Sequence, residues 1–292
     1  MVYNILFNRR TNRGGSVTAL NTAALFLKNK NIQHKIYMPK NLQETEFLAK
    51  RLSGNGDTII VAGGDGTIFN VINNCDSTIS LGILPLGTGN DIAKMLGIPT
   101  NIKDAIDIIL DGEKKAVDYA LINKEVLSLS FISYGIATDI VVGMGDYKSN
   151  NKLNYFLTLL KRVFKFEAKK YTAIIDGKAT TYLADFFSIH NCTYAGGGMY
   201  LCHHAVIDDG LLNFMVVEYK GKIRRVLNLI SILTKTLHKQ PNVTAVAVEK
   251  IKVVCDKDDL CCVDGELLEI KEMEVEVVTK GIEVFVRKEV TI

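Results

Sequence analysis

The chain opens on an apolar run, Val2 to Phe7, whose pattern predicts a buried strand. Val17 to Leu27 then carries Leu20, Ala23, Ala24 and Leu27 at helical spacing. Lys35–Met38 predicts a second strand and Leu42–Leu52 a second helix. Further strands are expected at Thr58–Ala62 and Ser80–Leu84, and further helices at Asp91–Leu96 and Ile102–Leu110. Strands alternating with helices imply a parallel sheet covered on both faces. Ligands of such a sheet bind beyond the carboxyl ends of its strands. From about Val117 the period changes. Thr172–Ile175, Asn213–Val217, Lys250–Val254 and Glu272–Val278 alternate apolar with polar, as strands do, and Asp176-Gly177 and Asp209-Gly210 supply turn signals. Two helical stretches interrupt them, Lys152–Phe166 and Lys222–Leu237. The expected architecture is an α/β domain with a parallel sheet over residues 1–120. A mostly antiparallel β-sandwich domain follows over 121–281. The last strand, Ile282–Val286, fits either domain, so residues 282–292 are candidates to return to the first.

Composition narrows this little. The 292 residues are 48% hydrophobic and 23% charged, with four prolines and no low-complexity tract, which excludes disorder and coiled coil. A net charge of +3 is small for a chain-wide polyanion binder, and no nucleic-acid partner is expected. The charge is uneven, however. Residues 151–240 carry 13 basic and 6 acidic side chains, and residues 241–292 carry 7 and 12. The middle of the chain is therefore the part to inspect for an anionic partner. No run approaches the roughly 18 apolar residues of a membrane span. Met1–Phe7 is too short for a signal sequence, and Arg9, Arg10 and Arg13 follow it rather than precede it. The six cysteines show neither CxxC pairs nor a Cys/His pattern, so reduced thiols in a cytoplasmic protein are expected and a structural zinc is not.

The chemistry concentrates in two loops. Gly63-Gly64-Asp65-Gly66-Thr67 follows the strand ending at Ala62 and opens a helix. Glycines let backbone N–H groups approach a phosphate, and the helix N-terminus favours an anion. Glycine also builds plain strand-to-helix turns. The aspartate weighs against that simpler reading: a carboxylate beside a phosphate repels it unless a cation lies between, so Asp65 points to Mg²⁺. Leu84-Pro85-Leu86-Gly87-Thr88-Gly89-Asn90-Asp91 repeats the design after the next strand. Asp91 is equally suited to cap its helix. Neither loop is a GxxxxGK[ST] phosphate loop, and neither opens the first βα turn as a dinucleotide GxGxxG would. That first turn, from Asn8 to Gly15, holds three arginines. Asp264-Gly265 reads as a hairpin turn on spacing alone. His203-His204 lacks an evident third metal ligand and reads as polar structure. Gly196-Gly197-Gly198 reads as a turn beside the cleft.

In order and wording the two loops resemble the diacylglycerol kinase catalytic family, which includes soluble bacterial lipid kinases, sphingosine kinases and ceramide kinases. GGDGT alone is shared with NAD kinases; the second loop is not expected in them. The resemblance extends to Asp118 after the first domain, to Ile207-Asp208-Asp209-Gly210 and to Val263-Asp264-Gly265-Glu266. It implies ATP as phosphate donor with Mg²⁺, and a hydroxyl of diacylglycerol or a related lipid as acceptor. It places Asn8, Gly63, Gly64, Gly66, Thr67, Gly87, Thr88, Gly89 and Asn90 on the nucleotide. Asp65, Asp91 and Asp118 correspond to the aspartates that organise Mg²⁺, and Asp209 to a structural cation site. Asp264 corresponds to the general base, with Glu266 assisting by orientation or metal contact, and Lys161 lies where relatives have a functional lysine. The second domain would then receive the lipid. Two positions depart from the family: Arg9 replaces a proline, and Phe69-Asn70 replaces Asn-Glu. The alternatives are an NAD kinase-like small-molecule kinase and an inactive nucleotide-binding regulator.

A lipid acceptor implies peripheral attachment to a membrane surface, and the family makes a homodimer an option. Lys152–Phe166 and Lys222–Leu237 each combine an apolar stripe with basic residues. Such helices can lie on an anionic bilayer. More often the stripe faces a core, and that is the expectation for each. At least one of them should be exposed near the cleft if the acceptor is a lipid.

Overall fold

The computed structural model describes residues 2–8, 15–55, 57–75, 79–144, 161–255 and 259–288. Arg9, Arg10, Arg13 and residues 152–160 lie outside the described residues. The first part runs β1 (Tyr3–Phe7), α1 (Gly15–Asn29), β2 (His34–Tyr37), α2 (Leu42–Gly54), β3 (Ile59–Gly63), α3 (Asp65–Ile72), β4 (Ser80–Pro85), α4 (Asp91–Met95) and α5 (Ile102–Asp111). The strands pair in parallel in the order β2-β1-β3-β4. β3 is buried along its whole length and β1 and β4 over all but their first residues, so both faces are covered. Leu20, Ala23 and Leu27 of α1, Leu48, Ala49 and Leu52 of α2, and Ala105, Ile106 and Ile109 of α5 belong to that core.

The second part is antiparallel: β5 (Glu113–Ile122), β6 (Val126–Ser128), β7 (Phe131–Gly135), α6 (Ile136–Met144), β8 (Lys169–Ile175), β9 (Lys178–His190), β10 (Tyr194–Ala195), β11 (Met199–Tyr200), β12 (Leu212–Glu218), α7 (Lys222–Leu233), a 3₁₀ turn (Leu237–Lys239), β13 (Val243–Val248), β14 (Lys250–Cys255), β15 (Leu260–Val263), β16 (Glu266–Glu269) and β17 (Glu272–Val286). Its core holds Tyr134, Tyr171, Phe187 and Phe214, with ring centroids 4.9 Å apart for Phe187–Phe214 and 5.3 Å for Tyr171–Phe187. β9 has no clean alternation in its second half, because Ala184 to His190 are buried on both faces between β7, β8 and β12. That burial hid it from a period-two reading. The six cysteines are free thiols.

β17 ties the two parts together. Its first residues pair with β14, and Glu283 and Val284 pair in parallel with Ser80 and Leu81 of β4, while β5 follows it along most of its length. The pattern split this strand in two because its register shifts between Val278 and Ile282, where Lys280 adopts φ 52°. Asp118 sits under the irregularity. Its Oδ1 accepts from Lys280 N at 2.7 Å and its Oδ2 from Gly210 N at 2.7 Å. A carboxylate here satisfies two backbone donors that the sheet leaves behind.

α7 is turned inside out relative to the expectation of a core-facing stripe. Arg225, Asn228 and Ser231 face inward. Ile223 is 81% exposed, Leu233 72%, and Leu227 and Ile230 are exposed with them. The inward arginine holds the helix down: Arg225 Nε and Nη2 donate to Asp185 Oδ1 at 3.0 and 2.6 Å, and Nη1 donates to the carbonyls of Val163 and Phe166, each at 2.8 Å. Removing one member of a buried ion pair strands the other charge. Arg225→Met is therefore expected to cost about 3–5 kcal/mol in urea denaturation, and the pair Arg225→Met with Asp185→Leu to cost clearly less than either change alone. Equal costs for the single and double variants would show that the pair is not the anchor.

Candidate active site

Both glycine loops leave the carboxyl ends of neighbouring parallel strands, β3 and β4, and meet there. Leu86 N donates to Gly63 O at 2.9 Å. A Cβ on Gly87 would fall 2.5 Å from Gly64 Cα, so at this crossing backbone touches backbone and no side chain fits. Asn90 stabilises the second loop from within. It adopts a left-handed φ of 52°, accepts from Gly87 N at 2.9 Å and donates to Gly87 O at 2.8 Å. Its side chain is thereby turned away from the helix it precedes. Asp65 supplies the missing cap across the loops: Ile92 N donates to Asp65 Oδ1 at 3.3 Å. Thr67 is buried and its hydroxyl accepts from Asn8 Nδ2 at 3.0 Å, which ties the end of β1 to the first loop. Thr88 is exposed at the loop tip. Asn70, one of the two departures noted in the sequence, donates to Gly66 O at 2.8 Å and braces the same loop.

The antiparallel part closes over these loops. Gly197 N donates to Asp91 Oδ2 at 2.9 Å, and a Cβ on Gly89 would meet Gly197 Cα at 3.1 Å and Asp65 Oδ2 at 3.0 Å. Gly197, the middle of three glycines at 196–198 that all have positive φ, thus contacts the second loop directly. The run of three was visible in the sequence, but its partner was not. Glu266 reaches the first loop: a Cβ on Gly66 would lie 2.8 Å from Glu266 Oε1.

Asp264 and Gly265 form the two-residue turn of the β15–β16 hairpin, with φ of 49° and 97°. The turn aims the Asp264 carboxylate inward, where it is only 2% exposed. Oδ1 accepts from Ser128 Oγ, Ser130 N and Phe131 N at 2.7, 3.0 and 2.9 Å, and Oδ2 accepts from Leu129 N at 2.8 Å. Oδ2 therefore keeps spare acceptor capacity. Burial pushes the Asp264 carboxyl up to about 6, against these four hydrogen bonds, which favour the charged form. The thiol of Cys192 lies in the field of Asp264, Asp91 and Asp65 together, and its titration is pushed up first by burial and then by those three charges. One locality joins the hairpin of Asp264 to the two loops, through Glu266 over Gly66 and through Asp65 on the N–H of Ile92.

Asp91 and Asp65 suit a divalent cation. Burial raises the Asp91 carboxyl, opposed by the Gly197 N–H and assisted by the charge of Asp65, and Asp91 Oδ1 is buried with no hydrogen-bond partner among the described residues. Mg²⁺ commonly takes one or two carboxylates and completes its shell with water and phosphate oxygens. Among the described residues no group of three metal-ligating side chains converges. The side chains of Asp118 and Asp209 are engaged at the 207–211 turn, while Asn191 Nδ2 joins the carbonyls of Asp118 and Leu129 at 2.8 and 3.0 Å. Asp118 N donates to Ile207 O at 2.8 Å, and Asp209 Oδ1 accepts from Leu211 N at 3.0 Å. His203 and His204 gain a third histidine by tertiary contact, His238, whose ring centroid is 4.8 Å from that of His203.

Beside this locality lies a cavity of about 470 Å³. Phe131, Ile136, Ile140, Phe186, Leu201, Val217, Leu229 and Ile232 are among its apolar walls, and Ser133, Asp185, Arg225 and Asn228 are its polar ones. It shares residues with the loops' surroundings: Phe131 binds Asp264 through its N–H, Cys262 precedes Asp264 by two, and Gly196 precedes the donor to Asp91.

Comparison with known proteins names this arrangement. Residues 3–122 match the diacylglycerol kinase catalytic domain, and residues 131–286 match the YegS C-terminal NAD kinase beta sandwich-like domain. The chain belongs to the YegS-like lipid kinase family. A relative from Yersinia pestis, named "Probable lipid kinase YegS-like", is 30% identical over 77% of each chain. Another of that name from Stenotrophomonas maltophilia is 27% identical over 80% of this chain and 79% of its own. A diacylglycerol kinase from Bacillus anthracis shares the fold with a TM-score of 0.79, at 23% identity, over 98% of this chain and 96% of that one. In this family member the loops, the hairpin and the cavity form one continuous neighbourhood.

The loop crossing is testable by stability. Gly87→Ala is expected to cost about 1–3 kcal/mol, since one backbone must move away from the other. Gly54→Ala at the end of α2, where a Cβ meets open space, is expected to change stability by less than about 1 kcal/mol and toward stabilisation. Urea denaturation of both variants checks this, and a tolerated Gly87→Ala would contradict the crossing.

Proposed function

We propose that the protein transfers the γ-phosphate of ATP to a hydroxyl of diacylglycerol or a related lipid, with Mg²⁺, and that Asp264 is the general base. The observation that carries this reading is the apolar cavity beside Asp264 and Asp91, reached through shared residues Phe131, Cys262 and Gly196. A small polar acceptor, as in an NAD kinase, needs no such lining.

The loop residues do most of what phosphoryl transfer asks, which is positioning and charge neutralisation. The two glycine loops would hold the phosphates with their backbone N–H groups, save those of Gly87, taken by Asn90, and Thr67, taken by Gly64 O, with the N-terminus of α3 behind the first loop. Asp65 and Asp91 would hold Mg²⁺, which would supply charge neutralisation at the transferred group. Glu266, over Gly66, fixes the hairpin against the loop. Asp264 Oδ2 takes the acceptor's proton as its oxygen bonds to the γ-phosphorus, and the bond from phosphorus to the bridging oxygen breaks to leave ADP. Asp118 and Asp209 brace the sheet irregularity at Lys280 and the 207–211 turn.

The outward face of α7 supports docking on an anionic bilayer. Ile223, Leu227, Ile230 and Leu233 form an exposed apolar ridge, and Lys220, Lys222 and Lys235 flank it. The inward face of the same helix lines the cavity, so a lipid leaving the bilayer beside this ridge enters next to it. No helix among the described residues is long and apolar enough to cross a membrane.

The reaction is tested with γ-labelled ATP and Mg²⁺ on diacylglycerol, monoacylglycerol, sphingosine, ceramide and NAD. Label in a lipid is expected, and label in NAD alone would replace the reading. Asp264 is protonated below about pH 6 and ionised above it. So kcat/KM is expected to rise about tenfold per pH unit below 6 and to level above it. Asp264→Asn should lose activity by at least 100-fold. A rising limb that persists unchanged in its residual activity would assign the titration elsewhere. For docking, Ile223→Asp with Leu233→Asp is expected to abolish sedimentation with phosphatidylglycerol vesicles, leave the fold intact and leave the mass in solution unchanged. A change from dimer to monomer instead would make the ridge a subunit interface.

A further inference from the structure

The walls of the apolar cavity carry polar atoms that the protein leaves unsatisfied. Asn228 is 5% exposed and lines the cavity, yet among the described residues neither its Nδ2 nor its Oδ1 has a hydrogen-bond partner. Ser133 Oγ and Asp185 Oδ2 line the same space and are equally without partners. Asp185 gives both of its Arg225 contacts to Oδ1, which leaves Oδ2 open. Four buried polar atoms, which would each cost stability if left unmatched, therefore line one cavity. Three of these atoms, Asn228 Oδ1, Ser133 Oγ and Asp185 Oδ2, can accept. Asn228 Nδ2 and Ser133 Oγ can donate.

Their position along the strands sets a spacing. β7 runs from Phe131, the donor to Asp264, through Ser133 to Gly135, which pairs with Phe186 next to Asp185. At about 3.3 Å per residue, Ser133 lies roughly 7 Å and Asp185 roughly 16 Å along the strands from Phe131. These polar atoms are thus spread along the cavity wall beyond Phe131, where the chain of a lipid whose hydroxyl lies at Asp264 would run.

We propose that the cavity selects lipids that carry, partway along the apolar chain, a hydroxyl or a secondary amide. Such a group donates to Asp185 Oδ2 or Asn228 Oδ1 and accepts from Asn228 Nδ2 or Ser133 Oγ. An unsubstituted hydrocarbon leaves all four atoms unpaired, and an ester carbonyl offers no donor. The inference rests on the cavity being the acceptor's site.

The test is binding without nucleotide, by calorimetry in micelles, of monostearoylglycerol and its analogue with a mid-chain hydroxyl. About tenfold tighter binding of the hydroxylated probe is expected. Asn228→Leu, of similar volume, is expected to reduce that preference to below about threefold while leaving the melting temperature unchanged or higher, because it removes an unpaired amide. Equal affinities in the parent protein, as a merely water-filled cavity gives, would overturn the proposal. So would a preference that survives Asn228→Leu, a large loss of stability in that variant, or binding of neither probe. Phosphate transfer to plain lipids without discrimination would defeat this inference alone. Discrimination in binding without transfer to any lipid would defeat the kinase reading alone.

Discussion

Where Gly87 crosses Gly64 there is no room for a single carbon, and the same holds nearly as tightly where Gly89 meets Gly197. These two approaches bring three segments, from two strand ends of the parallel sheet and one turn of the antiparallel part, into backbone contact. Everything chemical follows from that proximity. Asp65 can cap α4 only because the loops touch, and Asp91 can bind Gly197 only because the 196–198 turn comes down onto it. Side chains at these positions would open the cleft. With glycine the carboxylates are held in place by main-chain N–H groups, which cannot rotate away.

The second half of the site is held by the opposite device, one buried charge serving many donors. Asp264 satisfies four groups from Ser128 to Phe131, the segment between β6 and β7. The hydrogen bonds stabilise the carboxylate and burial opposes them; the balance leaves a group that ionises near neutrality rather than near 4. A base with that titration is suited to accepting a proton at physiological pH. Because Phe131 also walls the cavity, the segment that Asp264 organises links that carboxylate to the space beside it.

Much of this was legible in the sequence. Both loops, the alternating strands and helices, and the change of period near Val117 came from spacing. The family followed from the wording of the loops together with Asp264-Gly265-Glu266. Less was legible where burial or tertiary contact decides. The second half of β9 lacks alternation because both its faces are packed. β17 reads as two strands because of one irregularity at Lys280. The stripe on α7 has ordinary helical spacing, and nothing local says that Arg225 turns it outward; only the Asp185 partner, forty residues earlier, does. The contact of Gly197 with Asp91 is equally nonlocal.

The proposed reaction needs one cleft shared by the glycine loops, the hairpin and the cavity. Its most direct test is a crystal structure with a non-hydrolysable ATP analogue, Mg²⁺ and a short-chain diacylglycerol. The account requires the phosphates between Gly63–Thr67 and Gly87–Asn90, the cation on Asp65 and Asp91, the free hydroxyl directed at Asp264 and an acyl chain in the cavity lined by Phe131 and Ile232. Phosphates bound away from the two loops, or a lipid chain outside that cavity, would contradict it.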